Sequence, residues 1–297
     1  MLWHLTALPA IRLIACSLSR RNGTAQPVLE AFLIGLAAQP VTPAVLALFV
    51  DRVWPRASAR PPASVQRLAT GLVGRLNRAD RPAATRQMRG FLLWSVVALF
   101  ALGAGFGLAR ALPALLPPEF VSLAELLLLA AGMGFNGARA AAGRAVDGVA
   151  GLAPSRAGEV ARVACDRLAT RLADGPVALI LGWLALGLPG LFLLKAGQWL
   201  VAAVEADRDG AFGRAVRACH AVVTLPASFI AGVLIGFGRL PPRGLNPAAA
   251  ALSAALGRRG FALPAQRVAA ALVLVDRAHA LWLLALVVAG VTAAALG

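Results

Sequence analysis

Residues 91–116 read FLLWSVVALFALGAGFGLARALPALL, and Arg110 is the only charged residue among them. A helix of about 20 apolar residues crosses the hydrocarbon core of a bilayer. Phe91–Leu116 is therefore expected to be a membrane span, with Trp94 near its start as an interfacial anchor and Pro113, Pro117 and Pro118 ending it. The whole chain supports this reading, since apolar residues make up 59% of it and charged residues only 14%. A soluble domain has roughly 45–50% and about 25%. The apolar residues are bunched into runs, which excludes a water-soluble globular domain.

Upstream, Asp51–Arg89 carries nine arginines and reads as a loop plus an amphipathic helix around Val65–Leu76. Such a density of arginine in a short loop predicts the cytoplasmic side. Before it, Leu29–Val50 is a first span that Pro40 and Pro43 kink or split into two pieces. Residues 1–28 form a poorly specified N-terminal extension. In it Arg20-Arg21 follow the apolar stretch Leu2–Leu18, the reverse of the order in a signal peptide. Residues 29–297 are read as a single helical membrane domain.

Downstream, Val121–Phe135 begins a third span, and Asn136–Arg171 turns polar and helical on the cytoplasmic side. Pro176–Val204 is apolar but broken by Gly187-Leu188-Pro189-Gly190, which fits a helical hairpin, a re-entrant loop or one long span. If it is a hairpin, Glu205–Arg217 faces the cytoplasm. A further span covers about Ala218–Phe237 and contains Pro226; a basic linker, Arg239–Arg267, leads to Val268–Leu296, whose lipid-buried part is Ala280–Leu296. The expected fold is an all-α polytopic integral membrane helix bundle with about five or six spans and cytoplasmic amphipathic helices.

The formal charge is +16, and Lys195 is the only lysine. The arginines fall between the apolar runs, where anionic headgroups draw them, so membrane lipid is the expected partner and nucleic acid is not. Cys16, Cys165 and Cys219 have neither disulfide-framework nor zinc-site spacing. No internal repeat, phosphate-binding glycine loop, dinucleotide fingerprint or His-Glu-x-x-His helix occurs.

Chemistry is sought where polar groups interrupt apolar runs, because such groups are costly near a membrane core unless used or paired. On a helix Asp166, Thr170 and Asp174 are four apart and share a face. That face can hold a cation or a metal–phosphate complex, with Asp174 as general base, or it is a solvated face ending at a Gly175-Pro176 stop. Lys195 and Gln198 can bind an anion, or Lys195 snorkels to headgroups. His220, next to Cys219, can serve as an acid or a ligand or is a structural histidine, and Asp276, Arg277 and His279 read as a local ion-pair group.

The order of features over Leu172–Ala231 resembles the adenosylcobinamide-phosphate synthase family (CbiB/CobD) of cobalamin-pathway membrane proteins. The residues that carry the likeness are Asp174-Gly175, Gly187-Leu188-Pro189-Gly190, Lys195-Ala196-Gly197-Gln198, Phe212-Gly213 and Pro226-Ala227. Upstream, Ala47–Arg52 resembles the end of the family's first helix, and the likeness extends from about Val41 to the C-terminus. The resemblance implies an amide ligase joining a corrinoid carboxylate to an amino-alcohol phosphate, Mg2+ and ATP as cofactors, and a multi-pass location in the inner membrane. It also implies a corrinoid substrate and other cobalamin-pathway enzymes as partners. Carried onto this chain, Asp166 and Asp174 are the candidate catalytic acids, and Gly175, Lys195, Gln198, Phe212, Gly213 and Pro226 the substrate-binding positions; no metal ligand is assigned. Several polar positions of the pattern differ. Its Glu-Asn is Thr170-Arg171, its Ala-Arg-Leu-Asp-Asp run has no acidic counterpart between Arg214 and Thr224, and its Pro-Ala-Arg is Pro226-Ala227-Ser228. A later Asn-containing segment survives as Leu245-Asn246-Pro247. The alternatives are a catalytically degenerate paralogue that scaffolds corrinoid enzymes, and a small-solute transporter suggested by the prolines within spans.

Overall fold

The computed structural model describes residues 41–53, 63–78, 80–149, 151–207, 210–241, 244–258, 260–261 and 263–296. The N-terminal extension and the first part of the span expected over Leu29–Val50 lie outside them. The described residues contain helices and no strand. In chain order they are α1 (Val41–Val53), α2 (Ala63–Leu76), α3 (Ala83–Leu115), α4 (Pro118–Met133), α5 (Phe135–Val149) and α6 (Pro154–Leu172). A π-helical turn (Ala173–Val177) follows, then α7 (Ala178–Leu186), α8 (Leu188–Ala203), α9 (Ala211–Ile235), α10 (Pro247–Gly257) and α11 (Pro264–Leu296).

Among the described residues five stretches are long and apolar enough to cross a membrane: Ala83–Leu115, Phe120–Val149, Pro154–Leu186, Ala211–Ile235 and Pro264–Leu296. Four of them turn most of their apolar surface outward, as with Leu99 and Phe100 of α3 and Leu284 and Val288 of α11. Such a surface is unfavourable in water by about 25 cal/mol per Å2 and carries no such penalty in lipid. Pro154–Leu186 is the exception, with 61% of its apolar window inside the protein. It is the central rod around which the others pack.

The rod corrects one expectation. Asp174-Gly175-Pro176 does not stop a helix; the chain continues from α6 into α7 through the π turn. Pro176 has no amide to give the Leu172 carbonyl, and widening the helix by one residue accommodates the ring without breaking the rod. Gly175 lies against α4 so closely that a β-carbon would sit 3.0 Å from the Met133 carbonyl.

The hairpin reading holds at Gly187. This residue has φ +67 and ψ −143, a conformation open to glycine, and the chain reverses so that α8 runs back along α7. Gly182 and Gly190 face each other with so little room that a β-carbon on Gly190 would overlap the Gly182 carbonyl. The tip rests on α3, where Gly105 admits the backbone of Pro189. Arg86 near the start of α3 pairs with Asp207 at 3.2 Å, so the end of the arginine-rich segment and the segment after α8 lie at one end of the bundle.

Expected and observed bounds differ at α3, which begins at Ala83, and Trp94 is not a free interfacial anchor. Its ring packs against the cluster of Leu93, Leu200, Val204, Phe212 and Val216, with the indole N–H buried. The amphipathic helix expected around Val65–Leu76 is α2, which has no buried residue. Asp276 is not part of a local group either: it takes two hydrogen bonds from Arg139 Nε and Nη2 at 2.7 and 2.8 Å, and Arg52 approaches to 3.8 Å. One carboxylate thus joins α1, α5 and α11.

Candidate functional site: a polar seam along the central rod

The π turn presents Asp174 toward α8 and α9. Its backbone carbonyl accepts a 2.6 Å hydrogen bond from Gln198 Nε2, and its carboxylate Oδ2 lies 3.9 Å from His220 Nε2. The His220 side chain is 7% exposed and that of Asp174 19%, so the pair is shielded from bulk solvent. The imidazole lies over Gly197, where a β-carbon would stand 2.5 Å from Nδ1. His220 Nε2 is buried and has no hydrogen-bond partner among the described residues. The Thr224 hydroxyl donates to the His220 carbonyl at 3.0 Å and lies within reach of the Asp174 carboxylate.

Lys195 does not snorkel. Its ammonium donates to the Gly132 carbonyl at 2.7 Å and to Gln198 Oε1 at 3.2 Å. Across from it, Asp51 accepts hydrogen bonds from the amides of Gly134, Phe135 and Asn136, where the left-handed Gly134 joins α4 to α5. Those amides form the positive end of α5, so Asp51 also caps that helix. Arg171, one turn before Asp174, acts electrostatically on both Asp174 and Lys195.

One turn back along the rod, Asn246 Nδ2 donates to Thr170 Oγ1 at 2.9 Å and Ser228 Oγ donates to Asn246 Oδ1 at 3.4 Å. Asn246 also caps α10 by accepting from the Ala249 amide. Two positions where the family pattern is altered, Thr170 and Ser228, therefore meet the retained Asn246. Together the two groups make one seam of polar contacts between the rod, α8 and α9.

Of the residues proposed from sequence, Asp174, Gly175, Lys195 and Gln198 come together in this seam. Asp166 does not join them: it pairs with Arg162 at 3.5 Å on its own helix, its side chain 45% exposed. Phe212 and Gly213 are buried at the start of α9, where the Gly213 amide donates to Asp207 at 3.0 Å. They lie two turns of α9 before His220, and Phe212 belongs to the second apolar cluster. Pro226 is exposed on the outer face of α9. Asp51 and Thr224 are not singled out by the sequence as site residues, and His220, weighed there as an acid or ligand, reads as structural. The spacing of His220, Thr224 and Ser228 at four-residue intervals in an otherwise apolar span was the available signal, since it puts three polar groups on one face.

The donor set does not fit a resident divalent cation. No three His, Cys, Asp or Glu side chains come together among the described residues, and the Asp174 carboxylate lies in the field of Arg171. Magnesium favours several oxygen ligands around it.

The fold and seam define a multi-pass helical membrane protein with a shielded polar site at the core of its bundle. No family model matches the chain, and no solved structure gives a significant match. A curated relative, "Cobalamin biosynthesis protein CobD" of Sinorhizobium sp, is 31% identical over 245 residues, covering 73% of this chain and 74% of the relative. The chain belongs to the CobD family.

Proposed function

We propose that the chain acts in cobalamin biosynthesis as a membrane-embedded synthase that joins the carboxylate of a corrinoid acid to an amino-alcohol or its phosphate by an amide bond. The observation that carries this reading is the meeting of Asp174, Lys195, Gln198 and His220 in one shielded seam. Amide formation needs the attacking nitrogen deprotonated and a negatively charged acyl group held in place. The Asp174–His220 pair offers a proton acceptor whose Nε2 has no hydrogen-bond partner among the described residues. Lys195 and Arg171 supply positive potential for the acyl partner. Activation of the carboxylate comes from a nucleoside triphosphate bound as substrate, and no step is assigned to a protein-held metal.

On this reading the protein sits in the inner membrane with Asp51–Arg89 in the cytoplasm, and the hairpin returns Glu205–Arg217 to the same side. Complementation of a strain lacking the synthase tests the activity. The wild-type chain restores corrinoid-dependent growth, and Asp174→Asn, at equal abundance in the membrane, does not.

A second reading, a degenerate paralogue that scaffolds corrinoid enzymes, draws support from Thr170, Ser228 and Asn246, which spend their polar groups on one another and on capping α10. It predicts that Asp174→Ala leaves cellular function intact while pull-downs still recover cobalamin-pathway enzymes.

A further inference from the structure

We propose that the C-terminal end of α9, together with the neighbouring face of α11, is a binding site for one anionic phospholipid. The first observation is backbone geometry. The Gly238 amide donates to the Val233 carbonyl at 3.0 Å and the Phe237 amide to the Leu234 carbonyl at 3.4 Å, which closes α9 with a Schellman motif. Phe237 occupies the left-handed position of that motif, with φ +55. Glycine is the usual residue there and an L side chain is strained. Gly236 and Gly238 stand on either side, so this chain places a phenyl ring where its own neighbours would fit without strain. The ring is 57% exposed, so core packing does not explain it. Strain held at a surface position points to a use.

The second observation is what surrounds the ring. Phe237 is shared by two shallow cavities. One, of about 330 Å3, continues along α11 and is lined by Arg277, Ala280, Leu281 and Leu284. The other, of about 270 Å3, is edged by Arg239 and Arg258 over a buried apolar floor. Among the described residues none of the three arginines forms an ion pair. Arg277 stands one turn before the outward-facing apolar run of α11, with Leu284, Val287 and Val288 all exposed. A ligand that fits carries an anionic group for the arginines and a long apolar chain for the α11 face. A phospholipid with a net negative headgroup has both parts, and the site lies where a lipid-exposed helix meets basic side chains. Phe237 separates the headgroup cavity from the chain groove and covers the start of the acyl chain.

The experiment uses the full chain purified in detergent, with native mass spectrometry after addition of dioleoylphosphatidylglycerol, dioleoylphosphatidylcholine or inorganic phosphate. The wild type retains one phosphatidylglycerol in preference to phosphatidylcholine, and millimolar phosphate does not displace it. The triple variant Arg239→Gln, Arg258→Gln, Arg277→Gln weakens that retention by about a hundredfold, the effect of three basic side chains at a membrane surface. Phe237→Gly relieves the backbone strain, so its thermal midpoint holds or rises while lipid retention falls. Equal retention of the two lipids, undiminished retention in the triple variant, or displacement by phosphate would each overturn the proposal.

Discussion

His220 Nε2 faces Asp174 Oδ2 across 3.9 Å, and the imidazole reaches that position because residue 197 has no side chain. The residue under the ring therefore controls the alignment of the pair. Gly197→Ala, whose methyl group would meet Nδ1 at 2.5 Å, is expected to displace the ring and lower the proposed synthase activity by about a hundredfold, the usual worth of a positioned acid–base group. His220→Ala is expected to match it. Product formed per unit of protein in the membrane is the measurement, and full activity in Gly197→Ala would remove His220 from the mechanism.

Lys195 ties the end of α4 to α8 through the Gly132 carbonyl and Gln198. Lys195→Met keeps the apolar stem and removes the donor, leaving a shielded carbonyl without its partner. The expected loss of stability is about 1–3 kcal/mol, read as a lower thermal midpoint by tryptophan fluorescence in detergent. Lys195→Arg is not expected to restore it, because a planar guanidinium does not reproduce a point ammonium in a tight site.

The hairpin depends on contact between backbones. Gly190→Ala drives a methyl group into the Gly182 carbonyl and is expected to destabilise the protein by about 1–3 kcal/mol, as overpacking does. A β-carbon on Gly103 of α3 would instead meet nothing within 4 Å. Gly103→Ala is therefore expected to be neutral or to stabilise by about 0.5–1 kcal/mol through helix propensity. Thermal unfolding of the two variants side by side checks both signs.

Asp276 holds Arg139 and approaches Arg52, so Asp276→Asn leaves two guanidinium groups at a three-helix junction without their counter-charge. With about a third of each side chain of the Arg139–Asp276 pair exposed, screening moderates the effect to about 1–2 kcal/mol. Limited proteolysis in detergent should show earlier cleavage in this variant, and an unchanged pattern would mean the junction is held by packing alone.

The spans are legible in the sequence because apolar runs longer than a bilayer is thick have few other uses. The turn at Gly187 is legible as a break, but its outcome depends on tertiary contacts: only the approach of Gly182 to Gly190 distinguishes a hairpin from a kinked crossing. Asp174-Gly175-Pro176 looks like a stop because proline and glycine usually end helices, and a π turn is a local answer that residue types do not announce. Lys195 looks like a snorkelling residue because its partners, the Gly132 carbonyl and Gln198, include a backbone group sixty-three positions earlier. His220 looks structural for the same reason, its neighbour Asp174 lying on a different helix. Asp166 and Asp174 share a helical spacing, but the rod is packed on one side and open on the other, and only Asp174 turns inward.

The most direct measurement is amide formation by membranes containing the chain, supplied with adenosylcobyric acid, an amino-alcohol phosphate and MgATP, with the corrinoid products separated by chromatography. Adenosylcobinamide phosphate is expected from the wild type and none above background from Asp174→Asn at equal abundance. Equal product from the two would contradict the placement of the reaction at the seam.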